Sequence, residues 1–97
     1  MSTQPEATLI VYSTAWCGDC RRSKRWLDAN NVPYTNINID EDETAADRVV
    51  EINKGSRSVP TIVFPDGSVL VEPSNRALAT QVATVMGIVT PDAQAQT

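Results

Sequence analysis

Short apolar runs alternate along this chain with longer segments in which apolar residues recur every three or four positions. Residues 8–12, Thr-Leu-Ile-Val-Tyr, form a run that is typical of a buried strand. Residues 13–16 form a short connector, and residues 17–27, which hold no proline and one glycine, predict a first helix. The Asn-Asn-Val-Pro segment at 30–33 predicts the end of this helix. A strand followed by a helix therefore begins the folded part of the chain.

The middle of the chain repeats this order. Polar and apolar residues alternate in residues 34–39, which places the two isoleucines on one face and the two asparagines on the other. This alternation predicts a half-buried strand. A second helix is expected to begin near Asp42, because residues 40–43 are acidic and suit a helix N-terminus, and to stop at Gly55.

The last third of the chain predicts a hairpin and a third helix. Two strands are predicted at residues 61–64 and 68–71, and the Pro-Asp-Gly turn between them favours a hairpin. Ser74 is expected to cap the third helix, and Gly87 to close it. The apolar residues that recur on the inner face of that helix are Leu78, Val82 and Val85.

The order strand, helix, strand, helix, hairpin, helix predicts an α/β fold. It implies a crossover between two parallel strands and a four-stranded mixed sheet with three main helices on both faces, which is a thioredoxin-like architecture. We expect one domain over residues 8–88, with flexible tails at 1–7 and 89–97.

Composition narrows the classes of protein that this fold can serve. The 97 residues carry a net charge of −4, which argues against nonspecific nucleic-acid binding. Residues 1–6 lack the basic and apolar regions of a signal peptide, and no apolar run approaches the roughly 20 residues of a membrane span. We therefore expect a cytoplasmic protein with no membrane or nucleic-acid partner.

Cys17 and Cys20 are the only cysteines of the chain, and they lie where the first strand gives way to the first helix. Free N–H groups and the helix dipole favour a thiolate at a helix N-terminus, so Cys17 is the candidate nucleophile. Cys20 follows one helical turn later on the same face, where it can attack a mixed disulfide formed at Cys17. The pair predicts a dithiol redox site.

Two other uses of the cysteine pair fit less well. A structural zinc site needs four nitrogen or sulfur ligands, and the chain has no histidine and no third cysteine, which leaves only a metal shared across a dimer. A structural disulfide that closes so small a loop would constrain the unfolded chain little. No metal site is therefore expected within one chain.

Charged residues surround the cysteine pair. Four of the eight basic residues fall in one helix, at Arg21, Arg22, Lys24 and Arg25. They form either a solvated helix face or a source of positive potential near Cys17, and Arg21 is the nearest of them in sequence. Asp19 opposes a thiolate at Cys17 through its negative charge, although it suits the helix N-terminus. We treat Asp19 and Arg21 as modulating residues.

The chain resembles the glutaredoxin family over roughly residues 8–87. The resemblance rests on Cys-Gly-Asp-Cys after the first strand, Val-Pro before the third, and the Asp-Gly hairpin. Within that family the mycoredoxins, which are actinobacterial members, are most similar in their Trp-Cys-Gly-x-Cys site and Val-Pro-Thr segment. The chain departs from glutathione-dependent members at Thr14, where those carry lysine, and at residues 71–75.

The resemblance implies a role for the segment before the third strand. Pro60 is expected to be cis and to lie beside Cys17, although cis is found in only about 5–6% of X-Pro bonds in folded proteins, so the expectation rests on the family. The backbone of Val59 would then be free to pair with the peptide-like part of a substrate.

Three further residues are candidates for binding the substrate or a small thiol. Trp16 either shapes the surface beside the sulfur or covers the start of the helix. Arg57 is expected to contact the thiol. Ser74 either binds the polar end of the thiol or only caps the third helix.

The reaction implied by the resemblance is reduction of mixed disulfides between proteins and a low-molecular-weight thiol. Cys17 attacks the mixed disulfide and Cys20 acts as the resolving cysteine. The expected cosubstrate is mycothiol rather than glutathione, regenerated by its own disulfide reductase, with no permanently bound cofactor and a monomeric protein. Two alternatives stay open: a dithiol electron donor fed by thioredoxin reductase, and, because Gly18 is small, a dimeric iron–sulfur cluster carrier.

Overall fold

The computed structural model describes residues 8–90. Strands and helices follow the predicted order: β1 (Leu9–Ser13), α1 (Gly18–Ala29), β2 (Tyr34–Asn38), α2 (Glu43–Ile52), β3 (Thr61–Val63), β4 (Val69–Val71) and α3 (Asn75–Met86). The positions expected for all seven elements are confirmed to within a few residues at each end.

The sheet is mixed, as the element order predicts. Its strands lie in the order β2-β1-β3-β4. β1 runs parallel to β2, with Leu9 opposite Tyr34, and antiparallel to β3, with Val11 opposite Ile62. β3 and β4 form the hairpin. The strand that leads to the two cysteines is therefore central in the sheet.

Two hydrophobic cores lie on opposite faces of the sheet because side chains alternate along β1. The core shared with α1 and α3 buries Leu9, Val11, Trp26, Leu27, Val32, Ile62, Phe64, Leu78, Ala79 and Val82. The core shared with α2 buries Tyr12, Ile39, Ala45, Ala46 and Val49. Helices cover both faces, so the thioredoxin-like fold is confirmed.

The helix ends follow the residues that were expected to set them. The Asp42 carboxylate accepts a hydrogen bond from the Ala45 N–H at 3.1 Å and caps α2. Ser74 Oγ accepts from the Ala77 N–H at 3.1 Å and caps α3. Gly87 closes α3 with a left-handed backbone, φ 72°, which glycine adopts without steric cost. These caps fix where α2 and α3 begin and where α3 ends.

The expected flexible tails fall mostly outside the described residues. Residues 1–7 and 91–97 are not among those that the structure describes, and of the remainder Val89 is exposed and Thr90 is buried. Between residues 8 and 90, no helix has the length and apolar character needed to cross a membrane.

We expect Ser74→Ala to lower the free energy of unfolding by about 1 kcal/mol, because the Ala77 N–H at the start of α3 loses its partner. Urea denaturation measures the change. Ser74→Asp is the matched control, since an aspartate accepts the same hydrogen bond and should keep the stability. Equal stability of the alanine variant and the wild type would contradict the capping role.

Candidate active site

Cys17 is the N-cap of α1, immediately before the first helical residue. Its Sγ accepts a hydrogen bond from the Cys20 N–H at 3.0 Å. The sulfur therefore replaces a missing backbone carbonyl as partner for one of the free N–H groups of the first turn. This N–H and the helix dipole both stabilise negative charge on the sulfur, which suits a nucleophilic thiolate.

Cys20 lies one turn along α1 and is fully buried. Burial raises its pKa to about 12, and its hydrogen bond with Cys17 acts in the same direction. At neutral pH Cys20 is therefore a protonated thiol, inaccessible to solvent. Cys17 is 6% exposed and borders the cleft described below, whereas Cys20 has no exposed surface; the different roles predicted for the two cysteines stay predictions.

The Val59-Pro60 peptide bond is cis, as the family resemblance implied. The Cys17 thiol lies 3.8 Å from the Val59 carbonyl oxygen, so this segment borders the sulfur. The Glu72 N–H donates to the Pro60 carbonyl oxygen at 2.8 Å and ties the segment to the end of β4. Pro60 itself is buried, and Val59 before it is half-buried beside Cys17.

An open cleft of about 510 Å³ runs past the Cys17 sulfur. One wall comes from the start of α1 and the other from the loop before β3 and the end of β4. The lining residues are Trp16, Cys17, Gly18, Asp19, Arg57, Ser58, Val59 and Glu72. The cleft thus brings together Trp16, Arg57 and Val59, which the sequence had singled out, and adds Glu72, which it had not.

Trp16 and Arg57 share one carboxylate. Trp16 is 71% exposed, and its indole Nε1–H donates to Asp40 Oδ2 at 3.1 Å. The Arg57 guanidinium donates to Asp40 Oδ1 at 3.4 Å. Sequence reasoning assigned Asp40 only to the acidic start of α2, because nothing in the local pattern relates it to residues 24 positions before and 17 positions after it.

Asp19 pairs with Arg22, one turn along α1, at 3.0 Å. Arg22 also donates to the Pro73 carbonyl oxygen at 3.0 Å, which connects α1 to the segment before α3. The guanidinium beside Asp19 is thus that of Arg22, and the modulating effect of Arg21 on Cys17 stays a prediction. Arg21 is exposed, and its backbone N–H donates to the Cys17 carbonyl oxygen at 3.2 Å.

Ser74 does not line the cleft. Its hydroxyl is occupied by capping α3, which agrees with the simpler of its two predicted uses. Thr14, the position at which glutathione-dependent members carry lysine, is buried in the connector between β1 and α1. Its carbonyl oxygen accepts the Cys17 N–H at 3.4 Å, so it supports the turn that presents the sulfur.

The fold and the paired cysteines define a class, that of thioredoxin-like thiol-disulfide oxidoreductases. Comparison with known proteins agrees. The thioredoxin-like protein BC3987 superposes with a TM-score of 0.65 at 30% identity, over 73% of this chain and 94% of that one. A glutaredoxin of Archaeoglobus fulgidus superposes with a TM-score of 0.67 over 86% of this chain and 89% of that one, and at 24% identity it supports the fold alone.

Sequence comparison narrows the class to a family. The family model described as glutaredoxin matches residues 9–70. A glutaredoxin homologue of Mycobacterium tuberculosis is 40% identical over 81 residues, which cover 84% of this chain and 96% of that protein. Mycoredoxin 1 of Corynebacterium glutamicum is 36% identical over 67 residues, which cover 69% of this chain and 82% of that protein. The chain belongs to the glutaredoxin family, and its similarity to a mycoredoxin is confirmed.

We expect iodoacetamide at neutral pH to label Cys17 before Cys20, and Cys20 only once the protein is unfolded, because Cys17 borders the open cleft whereas Cys20 is fully buried and has a raised pKa. Mass spectrometry of proteolytic peptides identifies the labelled cysteine. The control is Cys17→Ser, in which burial should still hold the pKa of Cys20 high. Rapid labelling of Cys20 in the folded control would show that the two sulfurs are not distinct in this way.

Proposed function

We propose that this protein reduces mixed disulfides between proteins and a low-molecular-weight thiol, with Cys17 as nucleophile. The observation that carries the proposal is the position of the Cys17 sulfur, which accepts the Cys20 N–H at 3.0 Å and borders an open cleft. The Cys17 thiolate attacks the mixed disulfide at the sulfur that belongs to the small thiol. The bond between that sulfur and the target protein breaks, a new disulfide forms between Cys17 and the small thiol, and the target protein leaves as a thiolate that takes a proton from water.

Regeneration of Cys17 can follow two routes. In the first, a second small thiol attacks the mixed disulfide, frees Cys17 and leaves as a symmetrical disulfide, which a disulfide reductase reduces. In the second, Cys20 resolves the mixed disulfide, releases the small thiol and closes a Cys17–Cys20 disulfide. In the reduced protein the burial of Cys20 raises its pKa to about 12, which disfavours the thiolate that the second route needs, and on this ground we propose the first route.

Mycothiol is the cosubstrate that we propose, rather than glutathione. Similarity to Mycoredoxin 1 of Corynebacterium glutamicum supports this choice. The cleft lining offers a second argument, since Arg22 pairs with Asp19 and Asp40 pairs with Arg57, which leaves the Glu72 carboxylate without an ion pair among the described residues. Glutathione carries two carboxylates and one ammonium group and is therefore anionic, whereas mycothiol ends in a neutral, hydroxyl-rich sugar and cyclitol. Like charges in the cleft disfavour the anionic thiol.

The two walls of the cleft suggest how a substrate is held. We propose that Trp16 packs its exposed ring against the small thiol and that the backbone of Val59 pairs with the peptide-like part of the substrate. Arg57 contacts the polar part of the thiol. The protein acts as a monomer in the cytoplasm, where a reducing environment keeps its partner thiol reduced.

The first measurement is turnover of a synthetic mixed disulfide by wild type, Cys17→Ser and Cys20→Ser. Mycothiol or glutathione is supplied in each case with its own disulfide reductase and reduced nicotinamide cofactor. We expect Cys17→Ser to be inactive, because no other residue supplies the nucleophile. Cys20→Ser should keep activity within about threefold of wild type with mycothiol, since the small thiol itself regenerates Cys17.

The outcomes separate the alternatives. Loss of all turnover in Cys20→Ser would exclude the route that needs only Cys17. Equal turnover with glutathione would contradict the choice of thiol but not the reaction. Turnover with neither thiol, together with reduction by thioredoxin reductase, would replace the proposal by a dithiol electron donor.

A further inference from the structure

Asp40 joins two separate segments of the chain at the edge of the cleft. One segment is the connector before α1, which supplies Trp16, and the other is the loop before β3, which supplies Arg57. Each oxygen of the carboxylate accepts one hydrogen bond: Oδ2 accepts from the indole at 3.1 Å, and Oδ1 accepts from the guanidinium at 3.4 Å. Both partners line the cleft beside Cys17, whereas Asp40 itself lies in the neighbouring groove.

The backbone of Asp40 is held in place by the sheet. The N–H of the preceding residue, Ile39, donates to the Ser13 carbonyl oxygen at 2.9 Å and extends the pairing of β1 with β2, and the Ile39 side chain is buried. The Asp40 N–H donates to Asn38 Oδ1 at 2.9 Å. The carboxylate is therefore attached to a rigid strand end next to the strand that leads to Cys17.

The contacts of Asp40 add little to folding stability. The side chains of Arg57 and Asp40 are 56% and 44% exposed, and exposed ion pairs of this kind contribute about 0–1 kcal/mol. Their effect on ligand affinity is expected to be larger. A tryptophan and an arginine at the surface each lose rotational freedom when a ligand orders them, and this loss weakens binding. A carboxylate that orders both before the ligand arrives removes part of that cost.

We infer that Asp40 is a positioning residue, which acts on the small-thiol part of the substrate through Trp16 and Arg57. The inference rests on the proposed function and concerns affinity rather than the exchange step, since among the described residues Asp40 forms no hydrogen bond with Cys17 and does not line the cleft. One carboxylate thus orients a side chain on each side of the binding site, those of Trp16 and Arg57.

The test compares Asp40→Ala and Asp40→Asn with wild type, using the mixed disulfide of mycothiol and 2-mercaptoethanol as substrate. Asp40→Ala should raise KM by about threefold to tenfold, the loss expected for a hydrogen bond and an exposed ion pair together, and change kcat by less than about twofold. The KM of Asp40→Asn should lie between those of wild type and Asp40→Ala, because the amide oxygen still accepts from the indole but carries no charge to attract Arg57. In the Trp16→Phe, Arg57→Gln background, Asp40→Ala should have no further effect on KM.

A second readout is independent of turnover. The indole N–H resonance of Trp16 in nitrogen-15 NMR spectra, assigned by its loss in Trp16→Phe, should shift in Asp40→Ala because the hydrogen bond is lost. The matched control is Asp28→Ala, which removes another exposed carboxylate with an aromatic partner, the Tyr34 hydroxyl at 3.0 Å. Asp28 lies at the far end of α1, about 16 Å along the helix axis from Cys17. This control should leave both KM and the Trp16 resonance unchanged.

The results distinguish this inference from the function on which it rests. An active wild type with an unchanged KM in Asp40→Ala, or an unshifted Trp16 resonance, overturns the role of Asp40 alone. An equal rise of KM in Asp28→Ala shows that net charge and not position matters, which also overturns it. A wild type that turns over no mixed disulfide overturns the proposed function and the role of Asp40 with it.

Discussion

The hydrogen bond from the Cys20 N–H to the Cys17 sulfur organises the rest of the site. This hydrogen bond exists because β1 is an interior strand of the sheet and the chain passes within four residues from the end of β1 into α1. The first cysteine therefore takes the N-cap position. A sulfur in that position meets the positive end of the helix and faces the cis-proline segment at the same time. The Cys17 sulfur therefore reaches its position only when β1, the N-cap of α1 and the loop before β3 all adopt the arrangement seen here.

Much of the fold could be predicted from the sequence because its signals are local. An apolar run, an alternating segment, the cap residues Asp42 and Ser74 and the stop at Gly87 each act within a few residues of themselves, and each is found where it was expected. The cis state of Pro60 is different, because nothing in its neighbours distinguishes it from an ordinary trans proline. Its prediction came from family resemblance, and similarity to known glutaredoxins over most of the chain explains why the resemblance was reliable.

The parts of the site that sequence reasoning missed are contacts between distant segments. Asp40 reaches Trp16 only because β2 lies parallel to β1 in one register, and no local pattern indicates which side chains that register brings together. Arg22 pairs with Asp19 because three residues complete nearly one helical turn, which brings the two side chains to the same face of α1. Glu72 enters the cleft because the end of β4 is tied to Pro60. In each case the missing information was the packing of elements, not their existence.

The burial of Cys20 has a consequence for the lifetime of the protein under oxidative stress. Peroxides attack thiolates that they can reach, so a thiol with a pKa of about 12 and no exposed surface is protected from them, whereas Cys17 borders the open cleft. If Cys17 is oxidised to a sulfenic acid, the intact thiol beneath it can condense with it to a disulfide, with loss of water. That disulfide remains reducible, whereas a sulfinic acid in most proteins does not. Where that condensation occurs, oxidation of Cys17 stays reversible for as long as the Cys20 thiol is intact.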